Sequence, residues 1–226
     1  MSETFLNKFV EKCFKERFLF VLVSLLGFLF LSPLFRKFTA LGNLLEIFLT
    51  VILLSSIYAV SQKKSDFIIA TLLVLPLLFS TWTNFFFKSP ALPLVYTCSG
   101  ILFFAFMAFT ILSFVLNKNK VTLNVIYAAI VAYLFIAFMW AFVFSLVETV
   151  QPGSITMTAA DENFFHFLYY SFVTITTLGY GDITPTSEIA RSLSMIEAVI
   201  GQIYLVVLVA RLVGIHITQS MKGDSQ

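Results

Sequence analysis

Thr176-Thr177-Leu178-Gly179-Tyr180-Gly181-Asp182 stands between two segments of different length. Before it lies an aromatic run, residues 163–174, which as a helix would be about 18 Å long. A membrane's hydrocarbon core is about 30 Å thick, so this run cannot cross it. After it, residues 188–217 form an apolar run long enough to cross. The heptapeptide itself is too short and too polar to span. A short helix, a Gly-containing loop and a full span describe a re-entrant segment. At membrane depth such a segment is tolerated only where protein or a water-filled cavity surrounds it.

The whole chain supports a membrane setting. Of its 226 residues, 59% are hydrophobic and 12% charged, and the mean hydropathy is +0.96. Soluble domains average about 45–50% apolar and about 25% charged. The 28 Phe residues suit contact with lipid. The net charge of +2, with basic residues spread over loops, gives no nucleic-acid footprint. Cys13 and Cys98 lie in unlike segments and are read as separate thiols, without metal-ligand spacing. The first apolar run lacks a small-residue cleavage site and has Glu3, Glu11 and Glu16 before it, so it reads as a retained helix.

Six apolar runs of spanning length are expected, at 18–35, 38–60, 67–87, 91–116, 121–147 and 188–217. Pro76 falls inside the third and predicts a kink. Pro90 and Pro93 open the fourth, where Pro is tolerated. Residues 1–17, with Phe5, Phe9, Val10 and Phe14 interleaved with Lys8, Lys12 and Lys15, suggest a surface helix or a solvated tail. Asp161, Glu162 and Asn163 would cap the short helix. The resulting division is 1–17 amphipathic segment, 18–116 four-helix unit, 121–217 re-entrant module and 218–226 tail. The fold class is all-α membrane protein: six transmembrane helices plus the re-entrant helix and loop.

Charge sets an orientation. With the re-entrant loop outside, Lys8, Lys12, Lys15, Arg17, Lys63, Lys64, Lys118, Lys120, Arg211 and Lys222 lie inside. Only Arg36, Lys37, Lys88 and Arg191 lie outside. That bias places both termini in the cytoplasm of a multi-pass cell-membrane protein.

The loop chemistry suits a bare monovalent cation. Taking such an ion from water without replacing its oxygens costs on the order of tens of kcal/mol. Successive backbone carbonyls aimed one way replace them. That requires left-handed dihedrals, which Gly179 and Gly181 supply. Thr177 can add its hydroxyl at the inner end, Tyr180 can brace the loop from behind, and Asp182 can concentrate cations at the mouth.

Thr-Thr-Leu-Gly-Tyr-Gly-Asp is similar to the Thr-Val-Gly-Tyr-Gly-Asp signature of the potassium channel superfamily. Tyr169-Tyr170-Ser171 resembles the pore helix of that family. Gly201 with Ala210-Arg211-Leu212-Val213-Gly214 resembles the inner helix of bacterial potassium channels. The resemblance covers residues 121–217; the first four helices match only in number and order, as in six-helix channels. It implies that Thr177, Leu178, Gly179, Tyr180 and Gly181 coordinate K⁺, the permeant ion, with Thr176, Thr174 and Asp182 in support. It also implies a homotetramer in the bilayer, with no cofactor and no catalytic residue. Leu178 departs from the usual Val or Ile. Val173 stands where some members carry a Glu, so a carboxylate brace to Asp182 from there is missing. The alternatives are a less selective cation channel and a cation transporter with four weaker loops in one chain.

Further residues stand out in the spans. Glu197 is a carboxyl within the last one, expected to face the short helix and bond Thr174 or a neighbouring hydroxyl; the alternative places it near the outer interface. Glu46 in the second run can snorkel. Gly201 is a candidate hinge or a close-packing position. The fourth run, 91–116, holds no Lys or Arg. At about 2.3 kcal/mol per charge per 100 mV, such a helix cannot give steep voltage dependence. Thr97-Cys98-Ser99-Gly100 could suggest a membrane serine enzyme, but only His166 and His216 exist, and both lie elsewhere.

Overall fold

A computed structural model describes residues 17–37, 42–60, 63–83, 92–156 and 164–223. Among them are seven helices: α1 Arg17–Lys37, α2 Gly42–Val60, α3 Lys64–Thr83, α4 Leu92–Leu116, α5 Leu123–Val150, α6 Phe164–Ile175 and α7 Glu188–Gly223. Four are long and apolar enough to cross a membrane: α3, α4, α5 and the Glu188–Ile215 part of α7. α1 and α2 have 21 and 19 residues. α6 has 12, which is about 18 Å. The amphipathic segment before Arg17, Cys13, the side chain of Glu46, the caps Asp161, Glu162 and Asn163, the side chain of His216 and residues 224–226 fall outside the described residues.

Several boundaries differ from the sequence expectation. α3 starts at Lys64, three residues early, because Ser65 and Asp66 join its first turn; Asp66 there complements the helix dipole. α5 runs on to Val150. α7 continues to Gly223, taking in much of what was read as a tail. The fold is also not purely helical. Strands β1 Ile155–Thr156 and β2 Thr184–Pro185 pair antiparallel, with Ile155 opposite Pro185. Two residues per strand are too few to leave an alternating pattern in the sequence.

α5 is the centre of the packing. α1, α4, α6 and α7 all lie against it. α2 packs on α1, and α3 on α4. Thr122 caps the α5 N-terminus, its side chain accepting from the Val125 N–H. The α4–α5 seam is aromatic. Phe104 stacks on Phe138 and Phe142 at centroid distances of 5.1 and 5.6 Å, and meets Phe103 and Phe135 edge-on. Phe18, Phe103, Phe104, Phe135, Phe138, Phe142 and Phe144 are fully buried. Much of the Phe content therefore builds the protein's own core, not the lipid face that composition alone suggested. A methyl at Gly100 would overlap the Phe142 ring, so glycine there lets α4 approach α5.

Candidate functional site: a half-helix, a left-handed loop and the last span

The aromatic seam also places α6. Phe164 at its start packs on Phe142 at 4.3 Å and on Tyr96 at 5.9 Å. Tyr170 meets Phe144 edge-on at 4.8 Å. At its end, Tyr133 of α5 donates to the Ile175 carbonyl at 3.2 Å. Tyr133 lies ten residues into α5, about 15 Å along it. Thr177 Oγ1 accepts from Gln202 Nε2 at 3.2 Å. Gln202 lies 14 residues into α7, about 21 Å along it. α6 thus ends, and the loop begins, level with the middle of two long apolar helices.

The loop has the backbone its sequence demands. Thr177, Gly179 and Gly181 have φ of 58°, 60° and 77°. Gly takes these values freely, but a β-branched Thr in that region carries strain of about 1–3 kcal/mol. Alternating handedness turns successive carbonyls toward one side. The N–H groups face the other way: Thr177 donates to the Thr174 carbonyl at 2.9 Å, and Leu178 and Gly179 both donate to the Val173 carbonyl at 3.0 and 3.2 Å. Thr176 Oγ1 donates to Phe172. Leu178 and Tyr180 are 54% and 67% exposed within the single chain.

The far end of the loop is fastened separately. Asp182 accepts from the Tyr169 hydroxyl at 2.7 Å and from the Ile183 N–H at 3.1 Å. The Tyr169 hydroxyl, first among the causes, holds the Asp182 carboxyl below the ordinary carboxylate range. A brace to Asp182 therefore exists, from Tyr169 and not from position 173. Beyond it, β2 pairs with β1, and Thr186 donates through its hydroxyl to the Gly153 carbonyl and through its N–H to Ser154. Glu148, buried at the end of α5, accepts from the Gly153 and Ile155 N–H groups. Sequence reasoning assigns Glu148 no role. Nothing local marks it, since its partners depend on the turn that follows.

Behind the loop sits a buried polar contact. Glu197 is fully buried, and its Oε1 lies 2.5 Å from Ser171 Oγ. Ser171 Oγ also lies 2.8 Å from the Ala137 carbonyl oxygen, and its single proton serves one of these two acceptors at a time. Glu197 therefore faces α6 and not the outer interface, and of the expected partners, Thr174 or a neighbouring hydroxyl, it meets the Ser171 hydroxyl. Tyr170 and Ser194 share a 2.6 Å hydrogen bond one turn away. Gly201 lies against the end of α6, where a Cβ would overlap the Ile175 carbonyl oxygen and crowd Ile175 Cγ1 at 2.8 Å. Close packing is thus a concrete role for this glycine. Gln202 and Tyr133 were missed by sequence reasoning; both are uncharged and look ordinary in an apolar helix.

Residues 121–217 match the ion channel family model. The matched stretch takes in α5, the ribbon, α6, the loop and most of α7, a little under half of the chain. No curated protein matches the chain. With its long apolar helices, this is a membrane protein. Outside the matched stretch, Ser99 is buried and donates to the Val95 carbonyl, which leaves its hydroxyl engaged with its own helix. Cys98 is a free, exposed thiol.

Proposed function

We propose that four copies of this chain form a potassium-selective channel. Thr177, Leu178, Gly179, Tyr180 and Gly181 line its filter, and K⁺ moves passively down its gradient. The observation that carries the reading is the loop backbone: left-handed residues at 177, 179 and 181, with the N–H groups of Thr177, Leu178 and Gly179 tied back to α6. Carbonyl rings are what a dehydrated K⁺ requires. One loop cannot enclose an ion. An exposed irregular backbone at mid-span depth is not viable against lipid. Other copies around a common axis satisfy both demands. α6 serves as the pore helix and α7 as the inner helix. Asp182, Thr174, Thr176 and Glu197 support the filter, and Gly201 sets the packing of α7 on α6.

In this reading α1 to α5 and α7 are the six spans, the loop faces outward, and both termini are cytoplasmic. α4 lacks Lys and Arg, so opening depends weakly on voltage. Purified protein in liposomes should pass K⁺ without an energy source, and pass Na⁺ far less. Gly179→Ala, which forces a Cβ onto a φ of 60°, should abolish the flux. Equal K⁺ flux in that variant would overturn the assignment of the loop as the filter.

A further inference from the structure

At the end of the molecule opposite the loop, a cavity of about 430 Å³ opens beside the α4–α5 connection. That size is within the range of about 300–1,000 Å³ usual for small-molecule sites. Arg17, Lys118 and Lys120 line it together with Phe114, Thr122 and Asn124. No acidic residue lines it, and among the described residues no carboxylate pairs with these cations. Lys118 Nζ instead lies 4.7 Å from the centre of the Phe114 ring. The α5 N-terminus also faces the cavity, through Thr122, Asn124 and Val125. Its partial positive charge adds to three cations. Asn124 Oδ1 is buried without a donor.

A second cavity of about 260 Å³ adjoins the first, sharing Phe114 and Lys118. Its wall is apolar at Phe18, Val60 and Ile111, and it also holds Lys63 and Asp66. A cationic chamber next to one that offers an apolar wall at Phe18, Val60, Ile111 and Phe114 has room for both ends of an amphiphile. Basic pockets between membrane helices at the cytoplasmic side suit anionic headgroups.

We propose that this cavity binds the phosphate of an anionic phospholipid, with Arg17, Lys118, Lys120 and the α5 N-terminus as its ligands. A headgroup carrying hydroxyls, such as glycerol, would supply the donor that Asn124 Oδ1 lacks. The diacylglycerol end would lie along Phe18 and Ile111. The leaflet assigned rests on the orientation proposed above, but the site itself does not.

The full-length protein in neutral detergent micelles gives a test independent of conduction. Thermal unfolding is followed while dioctanoyl-phosphatidylglycerol is added, with dioctanoyl-phosphatidylcholine, glycerol 1-phosphate and inorganic phosphate as comparators. A ligand that binds only the folded state raises the midpoint by mass action. The anionic lipid should raise it saturably and the zwitterionic lipid should not. Lys120→Gln and Arg17→Gln should each weaken the response about fivefold, from the usual worth of one basic residue near a lipid surface. Lys118→Gln with Lys120→Gln should weaken it about 25-fold. Lys64→Gln, a cation at the same end that does not line the cavity, should leave it unchanged. An equal loss in Lys64→Gln would reduce the effect to diffuse surface charge and overturn the site. Saturation by inorganic phosphate at the same concentration as by the lipid would overturn the lipid and assign a soluble anion. If the double variant does not fold, Arg17→Gln alone decides.

Discussion

Gly201→Ala separates the two roles open to this glycine. In the folded chain the new methyl would overlap the Ile175 carbonyl oxygen and press on Ile175 Cγ1. The carbonyl belongs to the last turn of α6, and Tyr133 already holds it at 3.2 Å. Backbone cannot rotate away as a side chain can, so α6 and α7 must separate. Overpacking of this kind costs about 1–3 kcal/mol. For a chain of 150–250 residues that lowers a thermal midpoint by roughly 2–4 °C per kcal/mol, or roughly 2–12 °C here. The displacement falls two residues before Thr177, so the loop should suffer with the fold. The assay is thermal unfolding of purified protein in detergent, paired with K⁺ flux in liposomes. Ile175→Ala removes the Cγ1 clash, so Gly201→Ala should lower the midpoint less in an Ile175→Ala background than in the parent. Gly201→Ala with a wild-type midpoint and altered flux would refute the packing argument and leave a hinge as the explanation.

Other outcomes follow from the same contacts. Ser171→Ala strands the buried Glu197 carboxyl at about 1–3 kcal/mol; Glu197→Leu leaves only Ser171, still bonded to Ala137, and should be the milder change. Thermal midpoints in the reverse order would contradict this. The depressed Asp182 group stabilises the loop mouth at pH values above its ordinary value of about 3.9, and that contribution is lost as pH falls through the still lower folded value. Tyr169→Phe removes the main cause, so acid loss of flux should begin at a higher pH than in the parent; an unchanged acid profile would dismiss the brace. Conductance measured against voltage should show shallow dependence, and a curve carrying several gating charges per channel would contradict the reading of α4.

The half-helix, loop and span were legible because their signals are local. Twelve residues cannot cross a membrane, and alternate glycines announce left-handed backbone wherever they stand. Glu197 was legible as a carboxyl in an apolar helix, but its partner was not. Choosing Ser171 over Thr174 needs the register of α7 on α6, which side-chain packing sets. The Tyr169–Asp182 contact depends on how the loop returns past the helix it left, thirteen residues on. Glu148 and the β1–β2 ribbon depend on the same return. Phe was legible as apolar but not as buried: Phe104 and Phe109 look alike in sequence, yet Phe104 is fully buried and Phe109 is 71% exposed. Helix-face assignment, not composition, separates them.

The ion preference of the loop is tested most directly by the reversal potential of single channels in a planar bilayer, with K⁺ on one side and Na⁺ on the other. Carbonyl rings at Thr177 to Gly181 predict reversal close to the K⁺ equilibrium potential. Reversal near zero would contradict a potassium-selective filter.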